Sequence, residues 1–473
     1  MTRWRPDLGG GTGDAYARLA DAIEQGIRAG RLKAGERLPT HRELSRRLGI
    51  AVSTVTRGYA EAARRGLIAS TVGRGTFVNV PPGGLPVAAN GEETRPLERM
   101  YVSLVARASA TDLSLNHPLG DGVGAALAAG LDTMIEAREL DRLAIYQPPQ
   151  GMAEHREAGA MWLDFLGVEA DPDSVMVIAG GQTALLSILL AFAGRGETVL
   201  SEALTWPGAL AIAQALGIRL EGVATDEEGL IPDALEEACR RHAPRLLYTM
   251  PTLQNPTTAT ASLDRRRAIA RIARAHGVLI VEDDAYGFLV APRATPYLSI
   301  ARDITIYVTS LSKPIAPAMR LGYVAAPALL RRRLVASFRA TTVMASPILA
   351  ELASRMIRNG EAARLARFQA TAAERRQRLA DAILGPSPIP VRASLHRWLR
   401  LPPGTSTAGF VADALSNDVA VTSGEVFSVL PGADPGGVRV CLCAEPDEAR
   451  LEAALRVLAG LTTADHLGGL PVV

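Results

Sequence analysis

The sequence predicts an α/β protein: a mainly parallel sheet with helices on both faces and a small C-terminal α+β domain, preceded by a winged helix-turn-helix. Three observations predict it. From Thr111 onward, helical stretches alternate with short apolar runs at 174–179, 198–200, 219–223, 246–249, 279–281 and 304–308, which is the rhythm of strands joined by crossover helices. Two of these runs empty into polar clusters, Glu282-Asp283-Asp284 and Ser310-Leu311-Ser312-Lys313. The first 80 residues read differently, as three short amphipathic helices and a glycine-turn hairpin.

Length and composition bound the rest. A chain of 473 residues calls for two or three domains at roughly 150 residues each. Its 48% hydrophobic and 21% charged residues are those of a globular protein with ample core. No apolar run reaches the roughly 18 residues that span a bilayer, and the first residues lack the apolar core of a signal peptide, so no membrane partner and a cytoplasmic location are expected. Cys239, Cys441 and Cys443 suit neither a disulfide framework nor a zinc site, and no metal is expected. The chain is only +2, but residues 1–80 hold 14 Arg and Lys against 7 acids, leaving the remainder at −5. A basic N-terminal module suggests a polyanionic partner.

Within residues 1–80, Tyr16, Leu19, Ala20, Ile23 and Ile27 recur at helical spacing, and Gly30 stops that helix. Thr40 caps a second helix with Glu43 in the capping-box position and Leu44 and Leu48 inward. After the Gly49 turn, Ser53 is expected to cap a third helix. Val55, Tyr59, Ala62 and Ala63 would face the core, and Ser53, Thr54, Thr56 and Arg57 would face outward near its start. Short polar and arginine side chains there suit base edges and phosphates. Two strands around Gly73-Arg74-Gly75 would form a wing carrying Arg74. Residues 81–94 have linker composition, and the segment to about 110 has helical apolar spacing that suits an arm. Residues 111–473 form the larger domain, with a small C-terminal subdomain from about residue 335 whose strands are expected at 391–401, 419–421 and 438–443.

The polar clusters at the strand ends suit the chemistry of a phosphorylated aldehyde cofactor with a pyridine ring. In open α/β sheets, ligands sit at the C-terminal ends of strands. Lys313 would form the imine, since a lysine amine does so reversibly. Asp283 would pair with the pyridine nitrogen, Tyr286 would donate to the ring oxygen, and Ser310, Ser312 and Arg320 would hold the phosphate. Singly, each has an ordinary alternative, such as a solvated lysine or carboxylates capping a helix. Their joint spacing points to the cofactor.

Val281-Glu-Asp-Asp-Ala-Tyr286, Ser310-Leu-Ser-Lys313 and Arg320-Leu-Gly-Tyr323 resemble the fold-type I pyridoxal 5'-phosphate aminotransferases. Residues 30–44, Ser53-Thr-Val-Thr-Arg57 and Gly73-Arg-Gly-Thr-Phe-Val78 resemble the GntR winged helix. Together they resemble the MocR subfamily of GntR transcription regulators over nearly the whole chain. The resemblance implies a phosphate cup at Gly181 and Gln182, and an aromatic stacked on the ring at Trp206, where tyrosine is usual. It implies a ring-oxygen contact from Asn255 and a carboxylate-gripping Arg439. Tyr146 would reach the phosphate of a neighbouring subunit, so a homodimer is implied. Arg42 would contact DNA phosphate and Thr54 would serve as a recognition-helix hydroxyl. Val52 and Thr56 depart from the arginines many relatives carry, so operator sequence does not transfer. The function implied is a regulator that binds operator DNA and senses an amino acid, an amine or the cofactor itself by aldimine exchange at Lys313. An aminotransferase with an appended winged helix stays open as the alternative.

Overall fold

The computed structural model describes residues 6, 15–28, 32, 36, 38–64, 67–71, 75–78 and 110–463. The chain divides into two compact units, Met1–Thr94 and Arg95–Val473.

In the first unit, α1 (Ala15–Arg28), α2 (His41–Leu48) and α3 (Val52–Arg64) precede an antiparallel hairpin of β1 (Ile68–Thr71) and β2 (Gly75–Val78). The apolar stripes converge on one small core of Leu19, Ile23, Leu44, Val55, Tyr59, Ile68 and Val78. The Thr40 hydroxyl caps α2 by accepting the Glu43 amide at 3.3 Å, and Gly49 ends it in the left-handed conformation at φ 67°. The Tyr59 hydroxyl donates to the Pro39 carbonyl at 2.8 Å, pinning α3 to the turn that starts α2.

Two expectations are corrected here. Helix α3 starts at Val52, so Ser53 is its second residue and not its cap; the Ala51 carbonyl takes the Thr54 and Val55 amides at 3.0 and 3.2 Å. Ala63 is exposed. The inward positions run 55, 58, 59 and 62, one helical stripe, in which Gly58 does what a larger residue cannot: a Cβ there would fall 2.7 Å from Leu19. The expected helix stop at Gly30, the wing turn with Arg74, the linker 81–94 and the arm to 109 lie outside the described residues.

The second unit is built on a seven-stranded sheet. Its strands are β4 (Val175–Ile178), β5 (Thr198–Glu202), β6 (Arg219–Val223), β9 (Leu246–Thr249), β10 (Leu279–Asp283), β11 (Thr305–Ser310) and β12 (Gly322–Ala325), in the order β4-β12-β11-β10-β9-β5-β6. All run parallel except β12, which is antiparallel to β4 and β11. The short β3 (Thr111–Asp112) precedes this sheet, and a small hairpin, β7 (Thr225–Asp226) and β8 (Gly229–Leu230), lies within it in sequence. The central strands are buried on both faces, and successive side chains alternate between them. Val199, Leu246, Tyr248 and Val281 enter the core on one face, while Leu200, Leu247 and Ile280 enter another core with helix Leu263–Ala275 on the opposite face. Helices therefore cover both faces, as a parallel sheet requires.

The small domain has β13 (His396–Arg400), β16 (Gly437–Cys441) and β15 (Thr422–Ser423) in one antiparallel sheet, and β14 (Val419–Ala420) paired in parallel with β3. The strand expected over 391–401 is only its second half. Gln377, on helix Glu361–Leu384, donates to the Ser394 and His396 carbonyls at 3.0 and 2.9 Å, tying the approach to the helix. Strand β11 runs to Ser310, beyond the expected 308, because Thr309 and Ser310 pair with Tyr323 and Gly322. The three cysteines are free and buried. Among the described residues, no helix is long and apolar enough to cross a membrane, and no group of His, Cys, Asp and Glu could hold a metal.

Candidate functional site

The sheet's C-terminal edge sorts three consecutive carboxylates into three roles. Glu282 points into the core and pairs with Arg266 at 3.1 Å, both side chains being 1% exposed. Asp284 accepts the Tyr307 hydroxyl. Asp283, the last residue of β10, accepts the Tyr248 hydroxyl at 2.8 Å. Burial lifts its carboxyl to about 6, opposed by the Tyr248 hydrogen bond and the nearby Lys313 amine, so at neutral pH it is ionised. Among the three, Asp283 is the one whose charge faces Lys313.

Lys313 follows β11 by three residues, and its amine donates to the Asn116 main-chain carbonyl. Burial, with the Arg439 and Arg320 cations nearby, brings that amine down to about 8. A lysine so placed is a nucleophile near neutral pH. It is also chemically singular: the chain has only one other lysine, Lys33, against 49 arginines. In cofactor-free protein, labelling of Lys313 by an amine-directed reagent is expected to rise with pH through a midpoint near 8, because the neutral amine reacts; a midpoint at 10.5, the ordinary value, would refute the electrostatic reading.

An anion cradle lies beside it. Strand β4 delivers Gly180, at φ 87°, to the N-terminus of helix α4 (Gly181–Phe192). A Cβ on Gly180 would sit 3.0 Å from the Arg320 guanidinium, and one on Gly181 would sit 4.0 Å from the Ser310 Cβ. Ser310 in turn bonds the Ser312 hydroxyl and amide at 3.1 and 3.2 Å. Gln182 is exposed in the first turn of α4. The Arg320 side chain has no hydrogen bond or ion pair among the described residues. A free guanidinium, two hydroxyls and a helix N-terminus are the donor set of a phosphate site.

Arg439, on β16, is only 8% exposed and has no carboxylate partner among the described residues. It donates to the Ser114 carbonyl at 2.7 Å and to Asn255 Oδ1 at 3.1 Å, and stacks 4.9 Å from the Phe427 ring centroid. Its Nε is buried without a partner. Asn255 thereby turns its amide nitrogen away from the arginine. Trp206 starts helix α5 (Pro207–Leu216), where Gly208 makes room for its ring: a Cβ there would be 2.2 Å away. Tyr146 is 83% exposed and belongs to none of these contacts.

Three residues of the site escaped the sequence reading. Asn116 donates through Nδ2 to the Tyr286 hydroxyl at 2.9 Å and to His396 Nδ1 at 3.0 Å. Tyr248 steadies Asp283. His396, fully buried on β13, is held far below the usual histidine range, at about 3, by burial and the Arg439 cation. None carries a local signal: Tyr248 and His396 read as strand residues, and Asn116 as a loop residue.

In the first unit, Arg42, Ser53, Thr56 and Arg57 are exposed and Thr54 is half-buried, so the start of α3 presents a polar surface. Thr56 donates back to the Val52 carbonyl at 3.0 Å, and the Arg57 guanidinium lies 4.1 Å over the Tyr16 ring.

Residues 108–458 match the family described as aminotransferase class I and II, and residues 15–78 match the bacterial regulatory proteins of the gntR family. An uncharacterized HTH-type transcriptional regulator of Bacillus subtilis, YdeF, is 28% identical over 97% of this chain and 96% of its own. The 2-aminoadipate transaminase of Thermus thermophilus is 30% identical over 63% of this chain and 77% of its own. Among solved structures, LysN, an alpha-aminoadipate aminotransferase of Thermus thermophilus complexed with N-(5'-phosphopyridoxyl)-L-leucine, superposes with a TM-score of 0.69 at 25% identity, covering 78% of this chain and 95% of that one. Pyridoxal phosphate is the cofactor of this domain, and the Gly180 cradle, Lys313 amine and Asp283 carboxylate fit its phosphate, aldehyde and ring nitrogen. The chain belongs to the class I and II aminotransferase family and carries a GntR helix-turn-helix domain ahead of it, the combination that marks MocR-type regulators.

Proposed function

We propose that this protein is a transcription regulator in which the aminotransferase-like domain senses an amino acid or amine and the winged helix binds operator DNA in the cytoplasm. The observation that carries this reading is Arg439, a buried cation with no anionic partner among the described residues, beside an activated lysine and on the same chain as a DNA-binding domain. When bound, pyridoxal phosphate supplies an aldehyde that captures amines reversibly and a ring that withdraws electrons.

The chain's own residues divide the work. Lys313 offers its amine, Asp283 keeps a proton on the ring nitrogen, and Tyr286 and the Asn255 amide nitrogen supply donors for the ring oxygen. Gly181, Gln182, Ser310, Ser312 and Arg320 hold the phosphate, and Trp206 covers the ring. Arg439 grips the effector carboxylate with a planar fork already fixed by Ser114 and Asn255. Displacement of the Lys313 amine from Asn116 frees a residue that contacts both the large-domain Tyr286 and the small-domain His396. That connection is a route by which binding shifts the small domain.

A homodimer completes this reading. Ile135, Ile145 and Tyr146 are exposed at 60, 62 and 83%, apolar surface that a second copy would cover. Tyr146 then reaches the partner's phosphate.

Arg42, Ser53, Thr54, Thr56, Arg57 and Arg74 are the DNA-facing residues. Arg42→Ala is expected to weaken operator binding uniformly across sequences and to lower the slope of log affinity against log salt by about 1, the signature of one lost phosphate contact. The cofactor absorbance of that variant should equal the wild type's. An unchanged salt slope would remove Arg42 from the interface.

The test of the whole reading is a titration of amino acids and amines against the holoprotein, following cofactor absorbance, DNA affinity and keto-acid product in the same samples. A spectral shift with altered DNA affinity and no turnover supports the sensor. Steady keto-acid formation with unchanged DNA binding supports the second reading, an aminotransferase with an appended winged helix, which the similarity to 2-aminoadipate transaminase favours.

A further inference from the structure

We propose that the side-chain carbonyl of Asn116 accepts a hydrogen bond from the amino group of the effector, so that Asn116 selects for amines as Arg439 selects for carboxylates. The inference rests on the sensor reading above and adds to it the residue that recognises nitrogen.

The argument is a count of donors and acceptors. His396 Nε2 lies 3.4 Å from the Gln254 carbonyl, which can only accept, so Nε2 carries the proton and Nδ1 is an acceptor. Both hydrogens of the Asn116 amide are then committed, one to His396 Nδ1 and one to the Tyr286 oxygen. Turning the amide over would set its oxygen against the imidazole lone pair, so the orientation is fixed. The oxygen left over, Oδ1, is buried and has no partner among the described residues. An orphaned buried acceptor costs about as much as a lost hydrogen bond.

Pyridoxal phosphate does not satisfy it. Its phosphate and ring oxygen are acceptors, its ring nitrogen would belong to Asp283, and the N–H of its link to Lys313 would be taken by the ring oxygen beside it. The main-chain carbonyl of this same Asn116 already receives the Lys313 amine. An amine that binds beside that carbonyl, before it replaces the lysine, has N–H groups to offer. The nearest cations, Lys313 and Arg439, are turned to main-chain carbonyls and leave Oδ1 to the ligand.

The experiment is calorimetry on the full-length holoprotein with the twenty common amino acids, 2-aminoadipate and 4-aminobutyrate, each paired with the acid that lacks the amino group. Asn116→Leu keeps the size and removes the acceptor; Asn116→Ala removes it and leaves space. For the amino acid that wild type binds most tightly, Asn116→Leu is expected to weaken binding about tenfold to a hundredfold, while its deaminated partner changes by less than about twofold. Asn116→Ala should show the same split between the amino acid and its deaminated partner. Equal losses for both compounds in Asn116→Leu would reduce Asn116 to a prop for Tyr286 and His396 and overturn the inference. Where Asn116→Leu does not fold, Asn116→Ala decides alone: equal losses for both compounds overturn the inference as well. Should wild type bind no member of the panel, the sensor reading itself falls, and the inference with it.

Discussion

Lys313→Ala is expected to abolish covalent retention of pyridoxal phosphate. After borohydride reduction, the wild-type chain should gain the mass of one phosphopyridoxyl group and the variant none, and the visible absorbance of the wild type should be missing from the variant. Few proteins allow so clean a test, because the other lysine, Lys33, lies in the N-terminal unit. The fold should survive. The variant loses the hydrogen bond to the Asn116 carbonyl, worth about 1 kcal/mol net, and is relieved of a buried amine whose protonated form burial disfavours. Circular dichroism should match wild type, whereas operator binding without effector should shift toward the wild type's effector-bound value, because the link from Lys313 to Asn116 is already broken. A reduced adduct persisting in Lys313→Ala would place the cofactor elsewhere and remove the pocket assignment.

Arg266→Met should produce the largest loss of stability. Arg266 is bound on every side: by Glu282 at 3.1 Å, the Pro251 and Ala261 carbonyls at 2.8 and 3.0 Å, and the Thr252 hydroxyl at 2.7 Å. Burial pushes the Glu282 carboxyl up, and Arg266 is the main force holding it down. Removing the arginine leaves Glu282 buried without its cation, at a cost of about 3–5 kcal/mol, seen as a lower thermal midpoint. The pH dependence has a definite sign. In the wild type the folded carboxyl stands at about 8, and without Arg266 it is pushed higher still, so the deficit is smallest at low pH, where Glu282 is protonated in both folded forms, and grows as pH rises through about 8. Arg266→Met with Glu282→Leu should recover most of the loss, since no buried charge is stranded. Because Glu282 precedes Asp283, the single variant should also loosen cofactor binding. A single variant as stable as wild type at pH 8 would show that the pair is not what holds this end of β10.

These two expectations draw on different kinds of legibility. The lysine at the end of an apolar strand is visible in the sequence because loop, strand and Ser-rich turn are local patterns. The order of helices and strands was legible for the same reason: short apolar runs in β4, β9 and β10 and apolar residues at helical spacing in α1 and α2 are written in the order of residues. The errors were also local in origin. A capping serine and an alanine at a helix edge look alike whether or not the helix begins one residue earlier, and nothing near 391–395 announces that Gln377 claims its carbonyl.

The site's connections were not legible. Asn116 meets Tyr286 and His396 across 170 and 280 residues, and Ser114 meets Arg439 across 325, distances over which composition and periodicity carry no signal. The sequence by itself determined a basic winged helix, a doubly covered parallel sheet and a strand end whose residue types suit pyridoxal phosphate. Tertiary structure alone decided which of three adjacent carboxylates faces Lys313, that Tyr248 and His396 belong to the site, and that Arg439 and Asn116 keep unanswered polar atoms. The physical reason is that hydrophobic patterning acts through neighbours in the chain, whereas the pairing of a buried polar atom depends on which other groups the fold brings within hydrogen-bond reach.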